Sequence, residues 1–70
     1  MEVRKVSSSN IDQIGYDVTA KLLRVVFMSG KVYDYTGVDQ QTYDNLMQHP
    51  SKGQFFNRVI QGNFECRRIA

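Results

Sequence analysis

The chain has one cysteine, one histidine and no long apolar run, and each shortage removes a class of protein. Cys66 has no second cysteine to pair with, so no internal disulfide supports the fold. A lone thiol fits a reducing cytoplasm better than a secreted scaffold. It also leaves out a cysteine-rich zinc site. No stretch approaches the ~18–20 apolar residues of a membrane span. Met1 to Val6 is charged and too short for the apolar part of a signal peptide. No phosphate loop of the Walker or dinucleotide type occurs, nor any internal repeat or low-complexity run. Charge of one sign is not in excess either: nine basic residues against seven acidic leave a net charge of +2. That permits a nucleic-acid partner without arguing for one, because a committed binder usually carries a basic stripe.

What is present is organised around Lys21 to Thr36. Leu23, Val25 and Phe27 alternate along one strand, and Tyr33 and Tyr35 along the next. Such period-2 alternation broken by Ser-Gly is a hairpin signal. A two-residue loop at Ser29-Gly30 would split the aromatic residues between faces. A three-residue loop, Met28 to Gly30, pairs Phe27 with Lys31, Val25 with Tyr33 and Leu23 with Tyr35. All the large odd-numbered side chains then share one face, and Gly30 takes the left-handed place at the end of the loop. The other face brings Arg24 opposite Asp34, a pair that sheet register explains more simply than ligand binding. Leu22, Val26 and Val32 form an apolar strip beside it. The N-terminal segment covers that strip, or it is a self-association surface.

Around the hairpin, Met1 to Val6 reads as a short charged edge strand and Ser7 to Asn10 as a turn. Ile11 to Tyr16 is a strand in which Gly15 allows a close approach or a bulge. With Asp17 to Ala20 as a four-residue connection, Ile14 falls opposite Leu23. Asp39 is the N-cap of a first helix, with Val38 and Tyr43 as a hydrophobic staple. Tyr43, Leu46 and Met47 share a helical face, and Pro50 stops the helix. Ser51 to Gln54 matches a capping box opening a second helix, with Phe55, Phe56, Val59 and Ile60 on one side and Gly62 at its end. Phe64 returns to the core and residues 65–70 are a tail. The expected fold is α+β: a small antiparallel meander of three to four strands, then two short helices packed on one face. It is a single domain over residues 1–70, with its core in 7–64. Such a small domain has a thin core worth ~3–5 kcal/mol net.

Chemistry is sparse. His49 beside Pro50 reads as a solvated or locally bonded ring rather than a general base. No nucleophile–base pair stands at a useful spacing, so the chain reads as a non-enzyme with no cofactor or metal. Tyr33 and Tyr35 are either a stacking platform for bases or core. Lys52 and Gly53 stand at a helix start that could hold an anion, although Ser51 and Gln54 already serve its free amides.

Placed in order, these pieces resemble a known short family. They are Ser8 and Ser9, Ile11, Ile14-Gly15-Tyr16-Asp17, Leu23-x-Val25-x-Phe27-x-x-Gly30-x-x-Tyr33-Asp34-Tyr35, Val38, Tyr43, Leu46, and Ser51-x-Gly53-x-Phe55-Phe56-Asn57-x-x-Ile60. The pattern is similar to the KTSC domain, named for the C-terminal extension of some lysyl-tRNA synthetases and found also as stand-alone small proteins of bacteria and phages. The resemblance spans roughly residues 7 to 64, with Pro50 where many members have alanine. It implies a small α+β domain and a suggested role in RNA binding, which rests on the synthetase context. Met1 and the full run of motif residues point to a stand-alone chain.

Two functions follow as expectations. One is a non-catalytic module binding RNA or another nucleic acid. Arg24, Lys31, Lys52, Gly53 and Arg58, with Lys21, Arg67 and Arg68, would meet phosphate, and Tyr33 and Tyr35 would stack. The alternative is an oligomeric phage or bacterial protein that docks on a protein partner or sequesters a small anionic ligand. Homo-oligomer formation and a cytoplasmic, non-membrane setting accompany both.

Overall fold

In the computed structural model, which describes residues 1–70, five strands form one antiparallel sheet in chain order. They are β1 (Val3–Lys5), β2 (Ile11–Asp17), β3 (Leu22–Phe27), β4 (Val32–Thr36) and β5 (Cys66–Arg68). Between β4 and β5 come helix α1 (Gln40–Gln48) and helix α2 (Lys52–Phe55), which runs on into a π-helical turn at Phe56–Ile60.

The β3–β4 hairpin has the expected register: Leu23 faces Tyr35, Arg24 faces Asp34 and Val25 faces Tyr33. Phe27 N donates to Lys31 O at 2.9 Å, and Gly30 N donates to Phe27 O at 2.9 Å. Gly30 has φ +93°, a conformation that costs glycine least. The odd-numbered face of the hairpin therefore carries every large side chain, as the pleat requires.

The β2–β3 register differs from the expected one. Ile14 lies opposite Val25, and Tyr16 opposite Leu23. Asp17 stays in the strand and pairs with Leu22, so the loop is residues 18–21, not 17–20. The Asp17 carboxylate explains this. Its Oδ1 accepts from Thr19 N (3.0 Å) and Ala20 N (3.1 Å), starting the turn from the last paired position. Lys21 then closes the loop with φ +53°. The shift is two residues, so Ile14 keeps its face and the core is unharmed. The irregularity in β2 falls between Ile11 and Gln13. Gly15 is instead a close approach: a Cβ there would lie 2.9 Å from the Met1 thioether.

The helices cover one face of the sheet. Ile11, Ile14, Leu23, Val25 and Tyr35 from the sheet meet Val38, Leu46, Phe56 and Ile60 in a nine-residue core. Each such side chain contributes about 1.5–3 kcal/mol on burial, against an ordering cost of similar total size. Asp39 caps α1, its Oδ1 accepting from Thr42 N at 2.9 Å. Ser51 caps α2 through its Oγ and Gln54 N (3.4 Å). The box is not reciprocal, because Ser51 N donates to His49 Nδ1 at 3.1 Å. The Asn63 side chain donates to Val59 O (3.0 Å) and closes the far end of the second helix.

The segment read as a tail is a strand. Tyr33, Asp34 and Tyr35 pair with Arg68, Arg67 and Cys66. Every side chain of β5 is exposed, so its pairing rests on backbone hydrogen bonds alone. Phe64, just before it, packs against the core as expected.

The opposite face of the sheet carries no second layer. Leu22, Val26 and Val32 are half-buried there, and Ile69 is 48% exposed. β1 extends the sheet edge rather than covering this strip, apart from the Met1 thioether over Gly15.

Candidate functional site

The alternation of β4 sends Tyr33 and Tyr35 toward the helices, and there they form one wall of a groove. Tyr35 is 5% exposed and Tyr33 is half-buried. Their rings lie 6.5 Å apart at 28°. Phe56, from the first π-helical position, meets Tyr35 edge-on at 5.4 Å and Phe27 at 5.5 Å. Phe27 in turn meets Tyr33 edge-on at 5.9 Å. These four rings floor a groove of about 580 Å³. Amide side chains from Asn10, Asn57 and Gln61 stand along it, Lys31 lies at the hairpin side and Cys66 of β5 opposite. No carboxylate lines it.

The Tyr35 phenol is the most informative group here. Its ring is core and the residue lines the groove, yet its hydroxyl makes no hydrogen bond within the protein. Burial, with lesser contributions from Cys66 and Tyr33, pushes its pKa up to about 12. The hydroxyl is therefore a protonated donor at neutral pH, open to solvent, with no partner from the chain. It is free to donate to an acceptor that enters the groove.

The expected site residues separate. Lys31, Tyr33 and Tyr35 come together in the groove. Lys52 and Gly53 lie in a second cleft of about 440 Å³ between the Ser7–Asn10 turn and α2. Lys52 Nζ donates to His49 O there at 2.9 Å. Arg58 is exposed on the second helix and lines neither cleft. Arg24 is on the uncovered face of the sheet, where its Nε and Nη2 grip Asp34 at 2.7 and 2.8 Å. That bidentate pair links β3 to β4 and leaves the guanidinium engaged. His49 is bonded locally to Ser51. No three His, Cys, Asp or Glu side chains converge as a metal site would need. No helix is long and apolar enough to cross a membrane.

Sequence reasoning did not place Asn10, Asn57, Gln61 or Cys66 at a site. Asn10 arrives because its carbonyl accepts from Met28 N (2.9 Å), tying the turn to the hairpin tip. The one local signal was Asn57 directly after Phe55-Phe56, an amide on the rim of an aromatic pair.

Fold and groove together define a small α+β domain that offers an aromatic, carboxylate-free recess. The chain belongs to the KTSC domain family, whose model matches residues 7–64. A KTSC domain protein from Yersinia pestis has a crystal structure that superposes with a TM-score of 0.96 at 42% identity, covering 99% of this chain and 97% of that one. A Lysine–tRNA ligase of Nostoc punctiforme is 36% identical over 66 residues, 94% of this chain but only 12% of the ligase. A protein of Tsukamurella paurometabola is 32% identical over 64 residues, 91% of this chain and 96% of its own length. The fold thus recurs both at about this size and within much longer chains.

Proposed function

We propose that this chain is a non-catalytic binding module whose aromatic groove takes an unpaired base of single-stranded RNA. The observation that carries the reading is a four-ring floor in which the Tyr35 ring is core while its hydroxyl is open and has no partner within the protein. A nucleobase supplies what that place asks for: a flat face for Tyr33, an edge for Phe27, which stands nearly perpendicular to it, and ring nitrogens or carbonyls for the phenol and the amides. Lys31 at the hairpin side suits the attached phosphate, and the groove has no carboxylate to repel it. Lysine–tRNA ligases among the relatives are consistent with an RNA partner.

The test is fluorescence anisotropy with labelled single-stranded RNA and with tRNA at two salt concentrations. Binding is expected to weaken with salt. Tyr33→Ala is expected to cost ~1–3 kcal/mol of binding, the worth of one stacked base. Tyr35→Phe is expected to weaken binding with little change in stability. No binding at low salt overturns the reading.

A second reading has its own observation. The uncovered strip of Leu22, Val26, Val32 and Ile69 favours self-association through the back of the sheet. Sedimentation equilibrium decides it, with Val26→Lys expected to dissociate any dimer that forms through this face.

A further inference from the structure

We infer that the aromatic groove and the neighbouring polar cleft form one continuous track, holding a base in the groove and the sugar–phosphate that follows it in the cleft. The inference rests on the RNA reading above and extends it to a footprint of two linked nucleosides.

The first support is adjacency. Ser9, Asn10 and Asn57 line both recesses, so only these three polar residues separate one from the other. The second is a division of chemistry. The groove is floored by four aromatic rings. The cleft has no aromatic or aliphatic lining residue apart from Pro50: the rest of its surface comes from Ser7, Ser8, Ser51, Lys52, Gly53 and Gln54, beyond the shared three. A nucleotide is divided the same way, with a flat base at one end and hydroxyls and an anion at the other. The third is charge. The chain has seven carboxylates, yet none lines either recess, and each recess has one lysine.

The cleft is also held in shape before any ligand arrives. Ser8 Oγ accepts from Ile11 N (3.3 Å) and Asn10 N (3.4 Å) and donates to Asn10 Oδ1 (3.1 Å). Gly53 sits so close to this turn that a Cβ would meet Asn10 Oδ1 at 2.8 Å. The turn and the second helix are thereby seated on each other, with Asn10 at the junction of both recesses. Lys52 spends one donor on His49 O, and an ammonium has three. The Asn57 amide makes no bond within the protein and is exposed at the same junction.

The experiment is competition against a labelled single-stranded RNA eight-mer of mixed sequence. One competitor is a pool of the four nucleosides, the other a pool of the dinucleoside monophosphates. The dinucleoside pool is expected to compete about tenfold better or more, because it adds a charge-assisted contact in the cleft. Lys52→Gln is expected to remove most of that gain while leaving nucleoside competition unchanged. Asn57→Asp, at an exposed position with no internal bond, puts a carboxylate at the junction and is expected to weaken the dinucleosides more than the nucleosides. On the dinucleosides, the amide NMR signals of Ser7–Ser9 and Ser51–Gln54 are expected to shift together with those of Tyr33 and Tyr35. If the eight-mer binds but nucleosides compete equally well, or Lys52→Gln changes nothing, the track is wrong and the base site stands. If the eight-mer does not bind at all, the RNA reading fails and the track with it.

Discussion

The molecule has two tyrosine pairs, one joining β2 to α1 and one along β4, and they are built on different terms. Tyr16 and Tyr43 stack at 4.6 Å with their planes only 9° apart. The Tyr16 hydroxyl is spent inside the fold, donating to Val38 O at 2.6 Å. Its pKa is raised first by burial and then by Asp39, Asp44 and Asp17, so acidic groups lie near this pair. Tyr33 and Tyr35 are looser, at 6.5 Å and 28°. Here the Tyr35 hydroxyl has no partner, and no carboxylate stands nearby in the groove. The first pair is finished and repels anions; the second is unfinished and tolerates them. Aromatic content alone therefore says little about a site. What separates structure from recognition is whether the polar end of the ring already has a partner.

The strongest way to break this comparison is to remove the floor under the second pair. Phe56 meets both Phe27 and Tyr35, and Phe56→Ala is expected to cost ~3–5 kcal/mol. That rivals the whole net stability of a domain this small, so urea denaturation is expected to show little or no cooperative transition. Next is the back of the sheet. Arg24→Ala strands Asp34, which is 7% exposed, and is expected to cost ~1–3 kcal/mol. RNA affinity is expected not to change, because that face is not the groove.

The matched pair of substitutions sharpens the comparison most directly. Tyr16→Phe deletes a bond made to a buried segment and is expected to cost ~1–2 kcal/mol in urea, leaving RNA binding intact. Tyr35→Phe deletes no internal bond and is expected to stay within ~0.5 kcal/mol of the parent while losing affinity. High pH gives a second readout. The Tyr35 pKa is raised to about 12 from 10.0. Its stabilising contribution is complete below about pH 10 and is lost as the pH rises through the folded value. Tyr35→Phe is expected to flatten that alkaline decline in thermal-denaturation midpoints.

The smallest effect lies at the acidic end of the pH range. Asp39 is held below its usual carboxylate value, chiefly by its bonds with Thr42. Its contribution is present above about pH 4, the unfolded value, and fades as the pH falls through the lower folded one. Asp39→Asn keeps the cap and is expected to remove that part of the acid dependence in midpoints measured between about pH 2 and pH 5.

These outcomes also bear on what could be read without coordinates. The β3–β4 register was legible because one face had to collect Leu23, Val25, Phe27, Tyr33 and Tyr35, and Gly30 suited only one loop. Both helix starts were legible from Asp39 and Ser51, whose side chains act locally. β5 was not, because Cys66, Arg67 and Arg68 bury nothing; a strand held by backbone bonds alone has no pattern to detect. The β2–β3 offset was missed because the Asp17 carboxylate acts from inside the strand. At the site, the tyrosine motif posed a choice between core and contact surface. The structure gives Tyr35 a core ring and an open hydroxyl, a combination that depends on helices arriving from far along the chain. The dispersal of the cations was equally hidden, since Arg24 and Lys31 sit seven residues apart on opposite faces of one hairpin.

The late strand has a kinetic consequence. β5 is three residues long, exposed throughout and at the edge of the sheet, so, like β1 at the other edge, it is among the elements that open most cheaply. Its partner amides include Val32 N, bonded to Ala70 O, and Thr36 N, bonded to Glu65 O. Hydrogen exchange at those two positions is therefore a clock for the groove wall that holds Cys66. It is expected to run fast in the free protein, and to slow on addition of an RNA that bridges that wall to Tyr33.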